Sequence, residues 1–245
     1  MKKVAVIICA AGASARFGGN KKKPFIEVAG RAAFLRSIEF FADRDDVNKI
    51  ILAISPDDDE IVNIKWGANL SFNSVKICHG GAERFETVQK ALELIPDDTD
   101  LVAVHDAVRC CLTNDWVDKV IKTAAKTGAA MLACPVVPTI KKVANNKIVE
   151  TIDRTGLYEA QTPQIFDAKL LKEAYKNLDK MDKTKISDDS ALIEALGKDV
   201  AIVETDNSNI KITRKIDLAI ADAIIKARPK PKPEGPTGPF IEAQW

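Results

Sequence analysis

The chain has 245 residues, of which 46% are hydrophobic and 29% charged, a composition typical of a soluble globular protein with a sizeable core. Its 36 lysines and arginines balance 35 aspartates and glutamates to a formal charge of +1, so the charge gives no reason to expect nucleic acid or a membrane as a partner. No apolar run approaches the roughly 20 residues that span a bilayer, and five cysteines without a C-x-x-C pair indicate reduced thiols and a cytoplasmic location.

Apolar runs and helical patterns alternate along the first part of the chain. The short apolar run after Lys2 and Lys3 predicts a first strand at residues 4–10 rather than a signal peptide. Similar runs predict buried strands at residues 50–54, 75–78, 101–104 and 130–134. Helical spacing of apolar residues predicts helices at residues 32–41, 57–66, 83–94 and 115–126. This repeat predicts an α/β fold with a doubly wound, mainly parallel, Rossmann-like sheet that binds ligands at the carboxyl ends of its strands.

The second part of the chain interrupts this repeat. Residues 139–151 are polar, lysine-rich and β-branched, with Asn145 and Asn146 at their middle, which predicts a projecting β-hairpin arm. Helices are predicted at residues 167–178, 187–196 and 216–227, with a strand at residues 200–203. We therefore expect a single domain over residues 1–227, followed by a proline-rich tail over residues 228–245.

The loop after the first strand combines small residues with cations. Its small residues let backbone N–H groups approach a triphosphate, and Arg16 and Lys23 can supply the positive charge that phosphoryl transfer needs. A solvated basic turn is the alternative, but the position of the loop at a strand end favours a phosphate site. The spacings G-x-G-x-x-G and G-x-x-x-x-G-K-[ST] are both missing, which argues against an NAD-dependent oxidoreductase and a P-loop.

Six motifs carry a resemblance to a known family. The sequence A-A-G-A-S-A-R-F-G, followed by K-P-F, resembles the signature loop of sugar-phosphate nucleotidyltransferases. The further motifs G-G-A-E-R-F-E-T-V, H-D-A-V-R, R-T-G-L-Y-E-A-Q-T-P-Q, S-D-D and N-I-K-I-T-R begin at Gly80, His105, Arg154, Ser187 and Asn209. In order and spacing the set is similar to the 2-C-methyl-D-erythritol 4-phosphate cytidylyltransferases of the non-mevalonate isoprenoid pathway, from about residue 4 to residue 227.

The resemblance implies a nucleotidyltransferase domain that transfers CMP from CTP to 2-C-methyl-D-erythritol 4-phosphate. The products are 4-diphosphocytidyl-2-C-methyl-D-erythritol, an isoprenoid precursor, and pyrophosphate, and Mg²⁺ is the implied cofactor. The attacking phosphate oxygen is already an anion near neutral pH, so the reaction requires no general base. This argues against a Ser-His-Asp interpretation of His105 and Asp106.

The resemblance also implies which residues bind CTP. Arg16 and Lys23 match the two cations that stabilise charge at the α-phosphate and pyrophosphate. Asp106 can hold Mg²⁺ or the ribose, with a helix cap as the alternative. Thr87 matches a cytosine contact, although a helix-interior threonine bonded back to the chain is a competing interpretation. The full expected CTP-binding set is Ala10, Ala11, Gly12, Ala13, Gly81, Thr87 and Asp106.

The acceptor phosphate is expected to have cations of its own. Arginine suits bidentate phosphate binding and lysine adds a point charge. The family usually continues H-D-A-x-R-P, whereas this chain has Cys110 in place of the proline, which leaves open where Arg109 points. In the family the arm crosses to the other subunit of a homodimer, so each site is expected to draw on both chains. The matching positions are Arg109, Thr139, Arg154, Thr162 and Lys211, of which Arg154 and Lys211 join Arg16 and Lys23 as expected catalytic residues.

Two alternatives remain beside this hypothesis. Ribitol 5-phosphate cytidylyltransferase shares the fold, the nucleotide and much of the motif set, although the S-D-D and K-I-T-R segments favour the methylerythritol enzyme. A catalytically idle nucleotide-binding regulator that keeps the fold is the alternative from another class. The intact cations and Asp106 argue against such a regulator.

Overall fold

The computed structural model describes residues 1–12 and 22–228. Two predicted site residues, Ala13 and Arg16, and the tail over residues 229–245 lie outside this described part. The strands are β1 (Val4–Cys9), β2 (Glu27–Val28), β3 (Arg31–Ala32), β4 (Val47–Ile54), β5 (Lys76–His79), β6 (Leu101–Asp106), β7 (Ala129–Pro135), β8 (Ile140–Ala144), β9 (Lys147–Ile152), β10 (Tyr158–Asp167) and β11 (Ala201–Glu204). The α-helices are α1 (Ala33–Ala42), α2 (Asp59–Phe72), α3 (Arg84–Leu92), α4 (Asn114–Thr127), α5 (Ala168–Lys176), α6 (Asp189–Ala195) and α7 (Lys215–Ala227).

Seven strands form one central sheet in the order β11-β7-β10-β6-β1-β4-β5. The pairs β1–β4, β1–β6, β4–β5 and β7–β11 are parallel, and β10 is antiparallel to both of its neighbours. Every predicted helix and strand overlaps an observed one. The predicted doubly wound, mainly parallel sheet is therefore confirmed, while the boundary between a domain of residues 1–227 and a tail stays a prediction.

Helices cover both faces of the sheet because the strand side chains alternate between two apolar clusters. In β1, Val4, Val6 and Ile8 belong to one cluster, with buried residues of α1, α2 and α4. Ala5 and Ile7 belong to the other, with buried residues of α3, α5 and α6. Since β1 is buried on both faces, its sequence is a continuous apolar run, and its carboxyl end is fixed in the middle of the sheet.

The antiparallel strand β10 has no counterpart among the predicted elements. Its pairing with β7 shifts register between Ala160 and Gln164, and the intervening residues include buried polar side chains that hide a strand pattern. These side chains have specific partners: Gln161 Oε1 accepts hydrogen bonds from Thr205 Oγ1 and Asn209 Nδ2, at 2.9 and 2.8 Å. Partner atoms from distant segments therefore decide this strand, and local periodicity does not reveal them.

The predicted hairpin arm is present as the separate two-stranded sheet of β8 and β9. Asn145 and Asn146 both have positive φ, 51° and 59°, as a two-residue type I′ turn requires. The arm exposes Val143, Ile148 and Val149 at 56%, 65% and 60% of their surface. A two-stranded ribbon with apolar side chains in solvent has little stability of its own.

Elsewhere in the described ranges, no helix combines the length and apolarity needed to cross a membrane. All five cysteines are free thiols.

Candidate active site

The carboxyl ends of β1, β5 and β6 open into a cavity of about 440 Å³. This is the edge at which ligands bind in doubly wound sheets. The loop after β1, the turn before α3 and the segment before α7 all contribute to its wall. Predicted site residues that line the cavity are Ala10, Ala11, Gly12, Lys23, Gly81, Thr87, Asp106 and Lys211. Residues far apart in the sequence are thus brought together as expected for a CTP site.

Two glycines let the loop after β5 pack tightly beside this cavity. A Cβ atom on Gly80 would lie 2.5 Å from the Ala11 Cβ atom and 2.9 Å from Thr87 Oγ1. A Cβ atom on Gly81 would overlap the Glu86 side chain, which accepts hydrogen bonds at the start of α3. The Gly80-Gly81 pair therefore fixes the distance between the β1 loop and α3.

Thr87 lines the cavity and is also bonded back to its own helix. Its hydroxyl donates to the Glu83 carbonyl oxygen at 3.1 Å and accepts from the Gly81 N–H at 3.0 Å. The competing interpretation of a back-bonded helix threonine is thus correct as local structure. These bonds use the hydroxyl hydrogen and one of the two lone pairs, so the other lone pair can accept a hydrogen bond from a ligand.

Asp106 ends β6 at the floor of the cavity and faces three cations. Its carboxylate lies 2.7 Å from Lys211 Nζ, 3.6 Å from Arg109 Nε and 3.8 Å from Arg84 Nε. Burial by itself raises the pKa of Asp106, but the charges of Lys211 and Arg84 outweigh that effect and hold the pKa well below its usual range. The residue ends a strand and is followed by a turn, so the alternative of a helix cap is wrong.

This arrangement bears on the predicted magnesium site. Among the described residues, no group of three or more histidine, cysteine or acidic side chains could hold a metal ion. Asp106 is a single carboxylate whose charge is already compensated, whereas Mg²⁺ prefers additional oxygen ligands. These residues do not fit a metal site made by the protein alone, and the role of Asp106 as a metal ligand stays a prediction.

Replacing Asp106 with asparagine is expected to lower the free energy of unfolding by about 1–3 kcal/mol at pH 7, because a charged hydrogen bond is lost. The folded-state pKa of Asp106 is lowered from its ordinary value of 3.8. Its contribution to the free energy of unfolding is therefore complete well above 3.8. That contribution is lost as the pH falls from there through the lower pKa of the folded state. The stability gap between variant and wild type should therefore narrow between pH 7 and about pH 2.5. Denaturant unfolding at both pH values measures it, and a constant gap would contradict the ion-pair account.

Lys211 reaches the cavity from the segment that precedes α7. Asn209, which is fully buried, donates through Nδ2 to Gln161 Oε1 and to the Thr162 carbonyl oxygen. Immediately after Lys211, the Ile212 N–H donates to the Val108 carbonyl oxygen at 3.1 Å, which ties the chain to the loop after β6. Anchors on both sides therefore hold Lys211 beside Asp106.

Arg109 points inward, which resolves the uncertainty that Cys110 introduced. Its guanidinium donates to the carbonyl oxygens of Asn209 and Ala160, at 2.8 and 3.1 Å, and its side chain is 11% exposed. These contacts join the β6 loop to β10 and to the Lys211 segment. The structure therefore gives Arg109 a positioning role, and direct binding of the acceptor phosphate stays a prediction.

Thr162 lies behind Asp106 and is buried. Its hydroxyl oxygen accepts from the Asp106 N–H at 3.0 Å and lies 3.1 Å from His105 Nδ1, to which the hydroxyl can donate. Burial lowers the pKa of His105 to about 4, so the imidazole is neutral near pH 7 and Nδ1 can accept. These contacts give Thr162 and His105 a part in positioning Asp106, whereas the predicted donation from Thr162 to the acceptor phosphate is untested.

Arg84 is a cavity residue that the sequence analysis did not select. Its Nη1 atom lies 2.5 Å from the Asp189 carboxylate, which has no exposed side-chain surface and also accepts from the Tyr175 hydroxyl at 2.6 Å. The neighbouring Asp188 caps α6, because its side chain accepts from the Ala191 N–H. The signal available in the sequence was that Arg84 of G-G-A-E-R is a cation and that S-D-D supplies two carboxylates. Their contact defines Arg84 as a fixed cation in the cavity wall.

Thr139 and Arg154 lie outside this cavity wall. Both are exposed, and they flank the base of the β8–β9 arm. Within one chain, the described residues therefore do not bring these two predicted acceptor contacts together with Lys23.

Cys9 lines the cavity but is not poised as a nucleophile. Burial raises the pKa of its thiol to about 12. A thiol in this state is a poor nucleophile near neutral pH.

Several known proteins are similar to this chain over most of its length. The family model for 2-C-methyl-D-erythritol 4-phosphate cytidylyltransferase (IspD) matches residues 4–227. The protein of that name from Endomicrobium trichonymphae is 40% identical over 227 residues, covering 92% of this chain and 100% of the relative. Its counterpart from Bacillus velezensis is 37% identical, covering 91% and 95% of the two chains. The crystal structure of 4-diphosphocytidyl-2C-methyl-D-erythritol synthase from Anaerococcus prevotii has a TM-score of 0.78 and 29% identity, covering 92% of this chain and 96% of that one. The chain therefore belongs to the 2-C-methyl-D-erythritol 4-phosphate cytidylyltransferase family.

Proposed function

We propose that this chain transfers CMP from CTP to 2-C-methyl-D-erythritol 4-phosphate and releases pyrophosphate, with the cavity at the ends of β1, β5 and β6 as the CTP site. The observation that carries the proposal is the meeting of Lys23, Lys211 and Asp106 at the carboxyl edge of the sheet. The product, 4-diphosphocytidyl-2-C-methyl-D-erythritol, is a precursor of isoprenoids. Family membership favours this acceptor over ribitol 5-phosphate and an active enzyme over an idle regulator.

The chemistry needs charge stabilisation rather than proton transfer. A phosphate oxygen of the acceptor attacks the α-phosphorus of CTP, the new P–O bond forms in line, and the bond to pyrophosphate breaks. Both Lys23 and Lys211 line the cavity. We assign to Lys23 the stabilisation of negative charge on the CTP phosphates, and to Lys211 the attraction of the acceptor phosphate. The neutral His105 and the protonated Cys9 fit a mechanism without a general base or a covalent enzyme intermediate.

Selection of cytosine is assigned to Thr87 in the first turn of α3. The hydroxyl hydrogen of Thr87 is directed to the Glu83 carbonyl oxygen, so the hydroxyl meets a ligand as an acceptor. The N4 amino group of cytosine donates a hydrogen bond, whereas O4 of uracil is an acceptor and would face this oxygen unfavourably. The proposal therefore predicts discrimination between CTP and UTP at Thr87.

Mg²⁺ is proposed to enter with the triphosphate. Mg²⁺ commonly keeps several waters and binds through substrate phosphates with one or two carboxylates. Asp106, the last residue of β6, would be the carboxylate that the predicted site offers, and the ion would supply additional positive charge to the phosphates. The steps assigned above to Lys23 and Lys211 do not depend on where this ion lies.

The active unit is proposed to be a homodimer in the cytoplasm. The exposed apolar side chains of the β8–β9 arm are better accommodated against a second chain than in water. Thr139 and Arg154 at its base would then reach the cavity of the other subunit. The five free thiols fit a reducing compartment.

Pyrophosphate release tests this function directly. The enzyme should release pyrophosphate with CTP and 2-C-methyl-D-erythritol 4-phosphate, and much more slowly when ribitol 5-phosphate replaces the acceptor. With the preferred acceptor, CTP should be used in clear preference to UTP, ATP and GTP. Thr87→Ser, which keeps the hydroxyl, should retain this preference, whereas Thr87→Val should lose much of it. Equal rates with CTP and UTP in the wild type would contradict the proposed base recognition.

A further inference from the structure

The turn that carries Lys23 is held by the helix beside it. A 3₁₀ turn spans Lys23–Phe25, and a second one, Pro56–Asp58, leads directly into α2. The contacts between these two regions involve the residues on either side of Lys23. Their consequence deepens the proposed function, because it rests on Lys23 acting in the transfer reaction.

An ion pair fixes the residue before Lys23. Lys22 Nζ donates to Asp58 Oδ2 at 2.8 Å, and the two side chains are 29% and 9% exposed. The surface pair of Lys2 and Asp100 is much more open, at 54% and 35%. Solvent screens a charge interaction less when the partners are buried, so the Lys22–Asp58 pair restrains the backbone more strongly than a surface pair does.

Aromatic contacts fix the residue two positions after Lys23. The Phe25 ring stacks on Trp66 of α2, with 5.4 Å between centroids and 24° between planes. The same ring meets Phe34 of α1 edge to face at 5.5 Å. Phe34 is fully buried, so this side of the turn is joined to the hydrophobic core.

The intervening Pro24 is buried and its ring restricts the backbone, so the turn between the two anchors has little freedom. We infer that Asp58 and Trp66 are positioning residues for Lys23: they hold residues 22–25 on α2 so that the Lys23 ammonium group is presented to the CTP phosphates. Neither residue lines the cavity itself. Their effect is exerted through the placement of Lys23, and a displacement of about 1 Å can cost up to 10²-fold in rate.

The inference is tested with Asp58→Asn, which keeps the side-chain shape and removes the charge. We expect kcat to fall about 10-fold while KM for CTP stays within about 2-fold, since a displaced Lys23 affects the transition state more than the bound substrate. Asp58→Glu, which keeps the charge, should recover part of the rate. Lys22→Met should resemble Asp58→Asn, and the double variant should lose less than the product of the two single losses.

Asp46→Asn is the matched control. Asp46 pairs with Arg44 at 2.7 Å, the two side chains are 12% and 13% exposed, and the pair precedes β4 at the end of the sheet opposite the cavity. Both asparagine variants should lower the melting temperature, but only Asp58→Asn should lower kcat per folded molecule. Equal kcat values for Asp58→Asn and Asp46→Asn would overturn the inference.

The fluorescence of Trp66 gives a measurement that a change in overall stability alone does not alter. The chain has three tryptophans, so replacing Trp116 and Trp245 with phenylalanine leaves Trp66 as the single emitter. CTP binding should change its fluorescence, and Asp58→Asn should reduce that change. An unaltered signal in both proteins would count against the inference.

The Lys23→Ala variant separates failure of the inference from failure of the proposed function. If Lys23→Ala kept full turnover, the proposed role of Lys23 would fail. If Lys23→Ala were inactive while Asp58→Asn turned over normally, only the positioning role would fail.

Discussion

Replacing Lys23 with alanine is expected to lower kcat by about 10²-fold or more, with a much smaller change in the dissociation constant for CTP. Lys23 lines the cavity at the carboxyl edge of the sheet, where a preorganised ammonium group can stabilise charge that develops during phosphoryl transfer. Other cations at the site still attract the triphosphate in the ground state, so binding should be affected less than catalysis.

Single-turnover kinetics and CTP titration separate the two effects. Lys23→Arg keeps the charge with a different shape and should retain more activity than Lys23→Ala. Lys119→Ala removes an exposed lysine of α4 and should leave kcat unchanged. Normal turnover of Lys23→Ala would contradict the proposed role. A loss of activity explained entirely by weaker CTP binding would contradict it as well.

Mixing two inactive variants, Lys23→Ala and Arg154→Ala, is expected to restore activity if subunits exchange. With shared sites, each heterodimer has one site that carries both lesions and one that carries neither. Random exchange of equal amounts makes about half of the dimers mixed, so about one quarter of all sites should be intact. The recovered rate should therefore approach about one quarter of that of the wild type.

The control for this experiment is each variant incubated with itself under the same conditions, which should stay inactive. Native mass spectrometry of differently tagged chains measures the heterodimer fraction. Proven heterodimers without recovered activity would rule out shared sites. That result is expected if each site is built from one chain, because every site then carries the lesion of its own chain. A fully active monomer would rule out the dimer as the necessary unit.

The parallel part of the fold could be predicted because its strands are buried on both faces. β1, β4 and β6 appear as short apolar runs, and the helices between them place apolar residues at helical spacing. The Asn145-Asn146 turn could also be predicted, since few residues adopt positive φ at two consecutive positions. In these elements, local sequence is sufficient.

The antiparallel β10 and the orientation of several site residues could not be predicted, because distant partners determine them. Gln161 becomes a buried strand residue only where Thr205 and Asn209 donate to it. Arg109 has the charge of a phosphate ligand, but carbonyl oxygens of Asn209 and Ala160 take two of its donors. The motif identifies such a residue, while its contacts decide what it does.

The set of cations around Asp106 has a kinetic consequence. Arg84, Arg109 and Lys211 lie within 4 Å of a carboxylate in a chain whose net charge is only +1, and Asp189 offsets Arg84 from the buried side. The positive potential is therefore concentrated at one opening, where it attracts an anionic nucleotide from solution. Dissolved ions screen this attraction over about 8 Å at physiological ionic strength. The association rate of CTP should consequently fall as salt is added, while its dissociation rate, set by contacts inside the cavity, changes less.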